Sequence, residues 1–120
     1  MSGQFPELAK RLRDLMIASA PGMIEANGAL VAPWKNPTGK GEPMWFGQVR
    51  EGKAYVGYHL MPVYTHAALA AKISPALRKR MQGKSCFNFK VADEALFEEL
   101  AALTLEAAAL YAVPFATEQR

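Results

Sequence analysis

Three sets of residues in this chain are able to do chemistry: a lone cysteine among cations, a histidine in an alternating strand pattern, and carboxylates spaced one helical turn apart. The cysteine, Cys86, lies in RKRMQGKSCFNFK (Arg78 to Lys90), which holds five cations and two phenylalanines and no acid. Neighbouring cations such as Lys84 lower a thiol pKa and favour the nucleophilic thiolate. Free cysteine is also among the most buried residue types, a small hydrophobe with no chemistry of its own, and no companion motif here marks a nucleophile. His59 can act as a base or a metal ligand, or as a hydrogen-bonded sheet residue. Glu94 and Glu98 lie one helical turn apart with Glu99 beside them, on the side away from a leucine stripe, and offer oxygen donors to a metal such as iron.

The larger catalytic vocabularies are missing. The two histidines and single cysteine fit no HxH, CxxC or HExxH spacing, so a preformed zinc site is not expected. GMIEANG lacks the glycines and lysine of a phosphate loop, and no Ser-His-Asp set can be assembled. No enzyme is predicted. Net charge is only +3, which places nucleic acid behind smaller anions as a partner. The charges are segregated, however. Residues 78 to 90 are purely basic, whereas Asp93 to Glu106 carries five acids and no Lys or Arg. Two solvated faces matching helix dipoles explain this distribution, and so does an anion site on the basic run.

The elements that must position these residues follow from periodicity and punctuation. A chain of 120 residues, 51% hydrophobic and 21% charged, suits one domain, residues 1–120, with a polar tail after about residue 112. Phe5, Leu8, Leu12, Leu15 and Met16 line one face of a first helix ending before Pro21. Residues 20 to 43, rich in proline and glycine, read as loops around one strand at Ala29 to Trp34. Met44 to Arg50 and Lys53 to Val63 read as a hairpin joined through Glu51-Gly52, with glycine supplying a positive φ. Ser74-Pro75 starts a short helix that stops at Gly83. Ser85 to Val91 is a strand, and Asp93 caps a long last helix with Leu96, Leu100, Leu103, Ala107 and Leu110 as its core stripe. The expected fold is α+β, order αβββαβα, a small antiparallel sheet of about four strands with helices from both chain ends on one face.

Strand alternation separates Val56, Tyr58, Leu60, Phe87 and Phe89, a core set, from Tyr55, Gly57, His59, Lys84, Cys86, Asn88 and Lys90 on the other face. Gly47 and Gly57, inside strands, mark bulges or close backbone approach. Trp34, Trp45 and Phe46 flank the glycine-rich loop and would support a homodimer if the second face were apolar.

KAYVGYHLMPVY (Lys53 to Tyr64), ISPALRKRMQGKSCFNFK (Ile73 to Lys90) and the leucine-rich last helix together resemble the YdhG-like family of small bacterial domains of unknown function. The resemblance covers most of the chain and implies an α+β sheet covered by helices. One branch of that family is described as a frataxin-like intracellular iron chaperone.

The sequence therefore predicts a cytoplasmic, non-catalytic binding module for a small anionic ligand or a protein partner. Its expected site comprises Trp45, Tyr55, His59, Arg80, Lys84, Cys86 and Asn88, beside the loop at Pro33 to Pro43. An iron carrier using Glu94, Glu98 and Glu99 is the alternative, and a weak nucleic-acid binder on the basic patch is the third reading. No residue stretch approaches the roughly 18 apolar residues of a spanning helix, and no membrane partner is expected.

Overall fold

A computed structural model describes residues 5–35 and 43–112. Helix α1 (Pro6–Ser19) begins with proline in its first turn, where a missing N–H costs nothing, and it buries Ala9, Leu12, Leu15 and Met16 at steps of three and four. The amide of Phe5, just before the helix, donates to Glu51 Oε2 at 3.1 Å and ties the helix start to the sheet. Strands β1 (Ile24–Ala26) and β2 (Ala29–Lys35) follow. They are joined by Asn27-Gly28, both at positive φ (54° and 81°), the conformation a two-residue hairpin turn requires.

Strand β3 (Pro43–Glu51) pairs with β4 (Val56–Leu60) through the loop Gly52–Tyr55. The chain then turns through three short helices, α2 (Met61–Thr65), α3 (Ala67–Ala70) and α4 (Pro75–Arg78), before β5 (Met81–Gln82), β6 (Cys86–Phe89) and the long α5 (Glu94–Leu110). The six strands form an open, wholly antiparallel sheet in the order β1-β2-β3-β4-β6-β5.

The α+β class holds, and the helices from the two ends pack on each other and on the central strands. Strand number and order differ from expectation. The extra strands β1 and β5 arise in segments read as loop and as helix. The hairpin partner is shorter than Lys53 to Val63, because Pro62 cannot donate to a strand ladder and serves instead in the first turn of α2. Gly52 is not among the glycines at positive φ, which are Gly22, Gly28 and Gly83 among the described residues. The helix begun at Ser74, whose hydroxyl accepts from the Leu77 amide, ends at Arg78 rather than at Gly83.

One core unites the layers. Val56, Tyr58, Leu60 and Phe87 are fully buried and Phe89 almost so, beneath α1 and α5. Phe89 meets Phe97 of α5 edge-on at 5.1 Å. The Tyr58 hydroxyl lies 2.6 Å from Thr104 Oγ1, which itself donates to the Leu100 carbonyl. The buried face of α5 is wider than the leucine stripe: Phe97, Thr104 and Ala108 lie deep, while Leu96 and Leu110 are only partly covered. Asp93 caps this helix by accepting from the Leu96 amide at 3.2 Å, as expected.

Trp34 and Phe46 serve the fold and are not part of an exposed apolar surface. The Trp34 indole donates to the Tyr111 carbonyl at 2.8 Å, and Phe46, fully buried, packs edge-on to the Tyr111 ring. Among the described residues no helix is long and apolar enough to cross a membrane.

Candidate binding site on the uncovered sheet face

The face of β3, β4 and β6 opposite the helices carries two rows of side chains set by strand register. Arg50, Gly57 and Asn88 lie opposite one another, and the Asn88 amide donates to the Arg80 carbonyl at 2.7 Å, extending that row to Arg80. Gln48, His59, Cys86 and Gln82 form the second row. Because β4 and β6 are direct neighbours, His59, Cys86 and Asn88 meet as the alternation required.

Trp45 joins this face through a bulge. Leu30 pairs with Gly47 and Val31 with Trp45, so Phe46 is an extra residue in β3. Phe46 and Gly47 then both face the core, where a side chain on Gly47 would point at Met16 of α1. Trp45 and Gln48 are left on the opposite face, and the Trp45 ring stands 6.3 Å from His59, edge-on. Gly47 answers the expectation of close approach, since a Cβ there would lie 2.6 Å from the His59 carbonyl oxygen. Gly57 does not: its Cβ would meet Cys86 Sγ, Asn88 Oδ1 and His59 Nε2 at 3.4–3.6 Å, ordinary contact distances.

A directed hydrogen-bond chain runs over this face. Cys86 Sγ lies 3.5 Å from His59 Nε2 and donates to Asn88 Oδ1 at 3.2 Å. Asn88 Nδ2 donates to Gln82 Oε1 at 2.6 Å, and the Tyr55 hydroxyl donates to the same oxygen at 3.3 Å. With Gln82 Oε1 taken by two donors, the free end of that amide is its N–H pair. The groove between Tyr55 and the sheet edge, lined by Lys79, Arg80, Gln82, Asn88 and Lys90, therefore turns cations and amide donors toward solvent. A second groove on the other side of Tyr55 is lined by Arg50, Lys53 and His59 with Glu51. Glu51 turns one carboxylate oxygen onto the Phe5 amide.

Burial sets the protonation of the central pair. It lowers the His59 pKa, helped by the positive charge of Arg50, and it raises the Cys86 pKa, partly offset by the backbone hydrogen bond from Tyr58. Both shifts favour a neutral imidazole and a neutral thiol, the reverse of the thiolate–imidazolium pair of a cysteine nucleophile. Two of the cations that flank Cys86 in the sequence, Lys84 and Arg78, lie elsewhere. Lys84 belongs to the turn between β5 and β6 and stands over the Tyr64 ring at 5.9 Å, away from His59. Arg78 donates to the carbonyls of Ala70 and Ile73 and braces α3. Tyr55, His59, Arg80, Cys86, Asn88 and Trp45 thus share one face, and Lys84 does not join them.

The acidic face of α5 does not form a metal cluster. Glu94 pairs with Arg11 at 2.6 Å, and Glu99 uses both oxygens to accept from the amide and hydroxyl of Ser74 at 2.8 and 2.6 Å. Glu98 is exposed and has no ion-pair partner among the described residues. Among the described residues no group of three His, Cys, Asp or Glu side chains is placed to hold a metal ion. Two of the three carboxylates that periodicity aligned, Glu94 and Glu99, have structural partners that it cannot reveal.

Arg50, Lys53 and Gln82 were not singled out for this face, whereas Lys79 belongs to the basic run read as an anion site. Gln82 sits in a two-residue strand too short for periodicity to detect, and Arg50 is placed by its pairing with Gly57. Most of the glycine-rich loop at Pro33 to Pro43 falls outside the described residues. Compared with family models, curated proteins and solved structures, the chain matches none.

Proposed function

We propose that the uncovered sheet face is a non-catalytic binding site for a small anionic ligand, centred on Tyr55, Arg80, Gln82, Asn88 and Lys90. The observation that carries this reading is the direction of the hydrogen-bond chain, which fills Gln82 Oε1 with two donors and leaves the N–H pair of that amide for a ligand, beside Lys79, Arg80 and Lys90. Arg80, Lys79 and Lys90 have no acidic partner among the described residues. Charge-assisted bonds from such groups to phosphate or carboxylate oxygens are among the stronger hydrogen bonds in proteins. The neutral Cys86–His59 pair serves as the floor that fixes Asn88. The resemblance of Lys53 to Tyr64 and Ile73 to Lys90 to YdhG-like domains belongs to this proposal, as does a cytoplasmic location, where Cys86 remains a thiol. Among the described residues no arrangement of carboxylates favours the iron-carrier alternative.

Calorimetric titration with inorganic pyrophosphate tests the reading. Saturable binding that weakens at least about tenfold in Arg80→Gln/Lys90→Gln supports it, a loss equal to about 1.4 kcal/mol. Unchanged binding in that variant, or none in the native protein, rejects it.

A further inference from the structure

The second groove shows that this face is longer than a single phosphate needs. Arg50 and Arg80 stand at the two ends of one row that crosses β3, β4 and β6 and ends at the residue before β5. Strands lie about 4.8 Å apart, so the two residues start roughly 14 Å from each other at the backbone. Between them the row holds only Gly57, without a side chain, and Asn88. Five cations flank this trough, Arg50 and Lys53 in one groove and Lys79, Arg80 and Lys90 in the other. None of the five is ion-paired among the described residues.

Tyr55 is the wall shared by the two grooves. Its backbone position falls beside Lys90, one step beyond the Val56–Phe89 pair, yet its hydroxyl reaches Gln82 on the edge strand. The ring is thereby laid across β6 with 36% of its surface exposed. Trp45, partly exposed, offers a second ring at the far end of the same face, beyond His59.

From this we infer that the ligand is a single-stranded nucleic acid, with successive phosphates in the two grooves and a base stacked on Tyr55. The inference rests on the anion-binding reading above and adds its ligand class. An exposed ring between two lines of unpaired cations on a sheet surface is the arrangement that holds single strands without sequence preference, through stacking and backbone charge. A duplex keeps its bases stacked on each other and gives Tyr55 nothing to hold. The modest net charge argues less against this than it does in the sequence, because five of the chain's fourteen Lys and Arg gather on one face.

The test is fluorescence anisotropy with a labelled oligothymidylate of about ten nucleotides, set against inorganic pyrophosphate and a duplex of equal length. The oligomer should bind more tightly than pyrophosphate and than the duplex. Each neutralised phosphate contributes about −0.7 to the slope of log affinity against log salt, so five cations give a slope of up to about −3.5. Arg50→Gln/Lys53→Gln should make that slope shallower by about 1.4 while leaving pyrophosphate binding in the other groove unchanged. Tyr55→Ala should weaken the oligomer roughly 5- to 140-fold. Pyrophosphate binding with no advantage for the oligomer, or an unchanged slope in the Arg50/Lys53 variant, overturns this inference and leaves the anion site standing. Loss of both ligands overturns both.

Discussion

The buried contact between Tyr58 and Thr104 makes a prediction whose two halves differ in size. Thr104 Oγ1 donates its proton to the Leu100 carbonyl at 2.8 Å, so the Tyr58 hydroxyl must be the donor in the 2.6 Å bond between them. Both residues are fully buried. Thr104→Val removes the acceptor that the Tyr58 hydroxyl uses among the described residues and strands a donor in the core, which costs about 1–3 kcal/mol. Tyr58→Phe removes that donor but leaves Thr104 still bonded to Leu100, so its cost stays near the net worth of one hydrogen bond, about 0.5–1.5 kcal/mol. The double variant should be no worse than Thr104→Val alone, because the second change removes the stranded group. Urea unfolding of the four proteins measures this, provided the slope m is unchanged so that the shifts report stability. Equal costs for the two single variants, or a double variant showing their full sum, would refute the assignment of donor and acceptor and the claim that burial makes the difference.

Gly47→Ala should destabilise the protein by several kcal/mol or prevent folding, because its Cβ would sit 2.6 Å from the His59 carbonyl on the paired strand. Gly57→Ala, with contacts of 3.4–3.6 Å, should cost little or gain a few tenths of a kcal/mol from a stiffer unfolded chain, and thermal melting of both separates the cases. The lowered His59 pKa predicts pH dependence. Above its unfolded value of 6.5 the imidazole is neutral in both states and stability is full, and below it the unfolded chain takes up a proton first, so stability falls as pH drops toward the lower folded value. His59→Gln should flatten that fall in urea midpoints measured across the range. Burial raises the Cys86 pKa, so iodoacetamide should alkylate the native protein more slowly than the urea-unfolded chain at pH 8, and faster labelling of the native form would contradict a neutral, unactivated thiol.

The elements carried by long periodic segments were legible. The apolar steps of α1, the serine and aspartate caps at Ser74 and Asp93, and the alternation of Val56–Tyr58–Leu60 with Phe87–Phe89 all appear as read. Alternation also placed His59, Cys86 and Asn88 on one face, because register conserves a period of two once strands are neighbours. Asn27-Gly28 carried a hairpin signal that the surrounding prolines and glycines obscured, and Pro62 argued against a long fourth strand. Other features had no local signal. The cations of residues 78–90 look like one patch in sequence, but the turn at Gly83 sends Lys84 toward Tyr64 while Arg80 and Lys90 stay near Asn88. The partners of Glu94 and Glu99 lie 83 and 25 residues away along the chain, and spacing within a helix cannot report them.

The central claim, that the uncovered sheet face accepts an anion, is tested most directly by a nitrogen–proton correlation titration of the isotope-labelled protein with pyrophosphate. Saturable shifts in the Gln82 and Asn88 side-chain amides and the Tyr55 and Arg80 backbone amides are the predicted result. Shifts confined to α5 around Glu94, Glu98 and Glu99, or no shifts on the sheet face at saturating ligand, would contradict it.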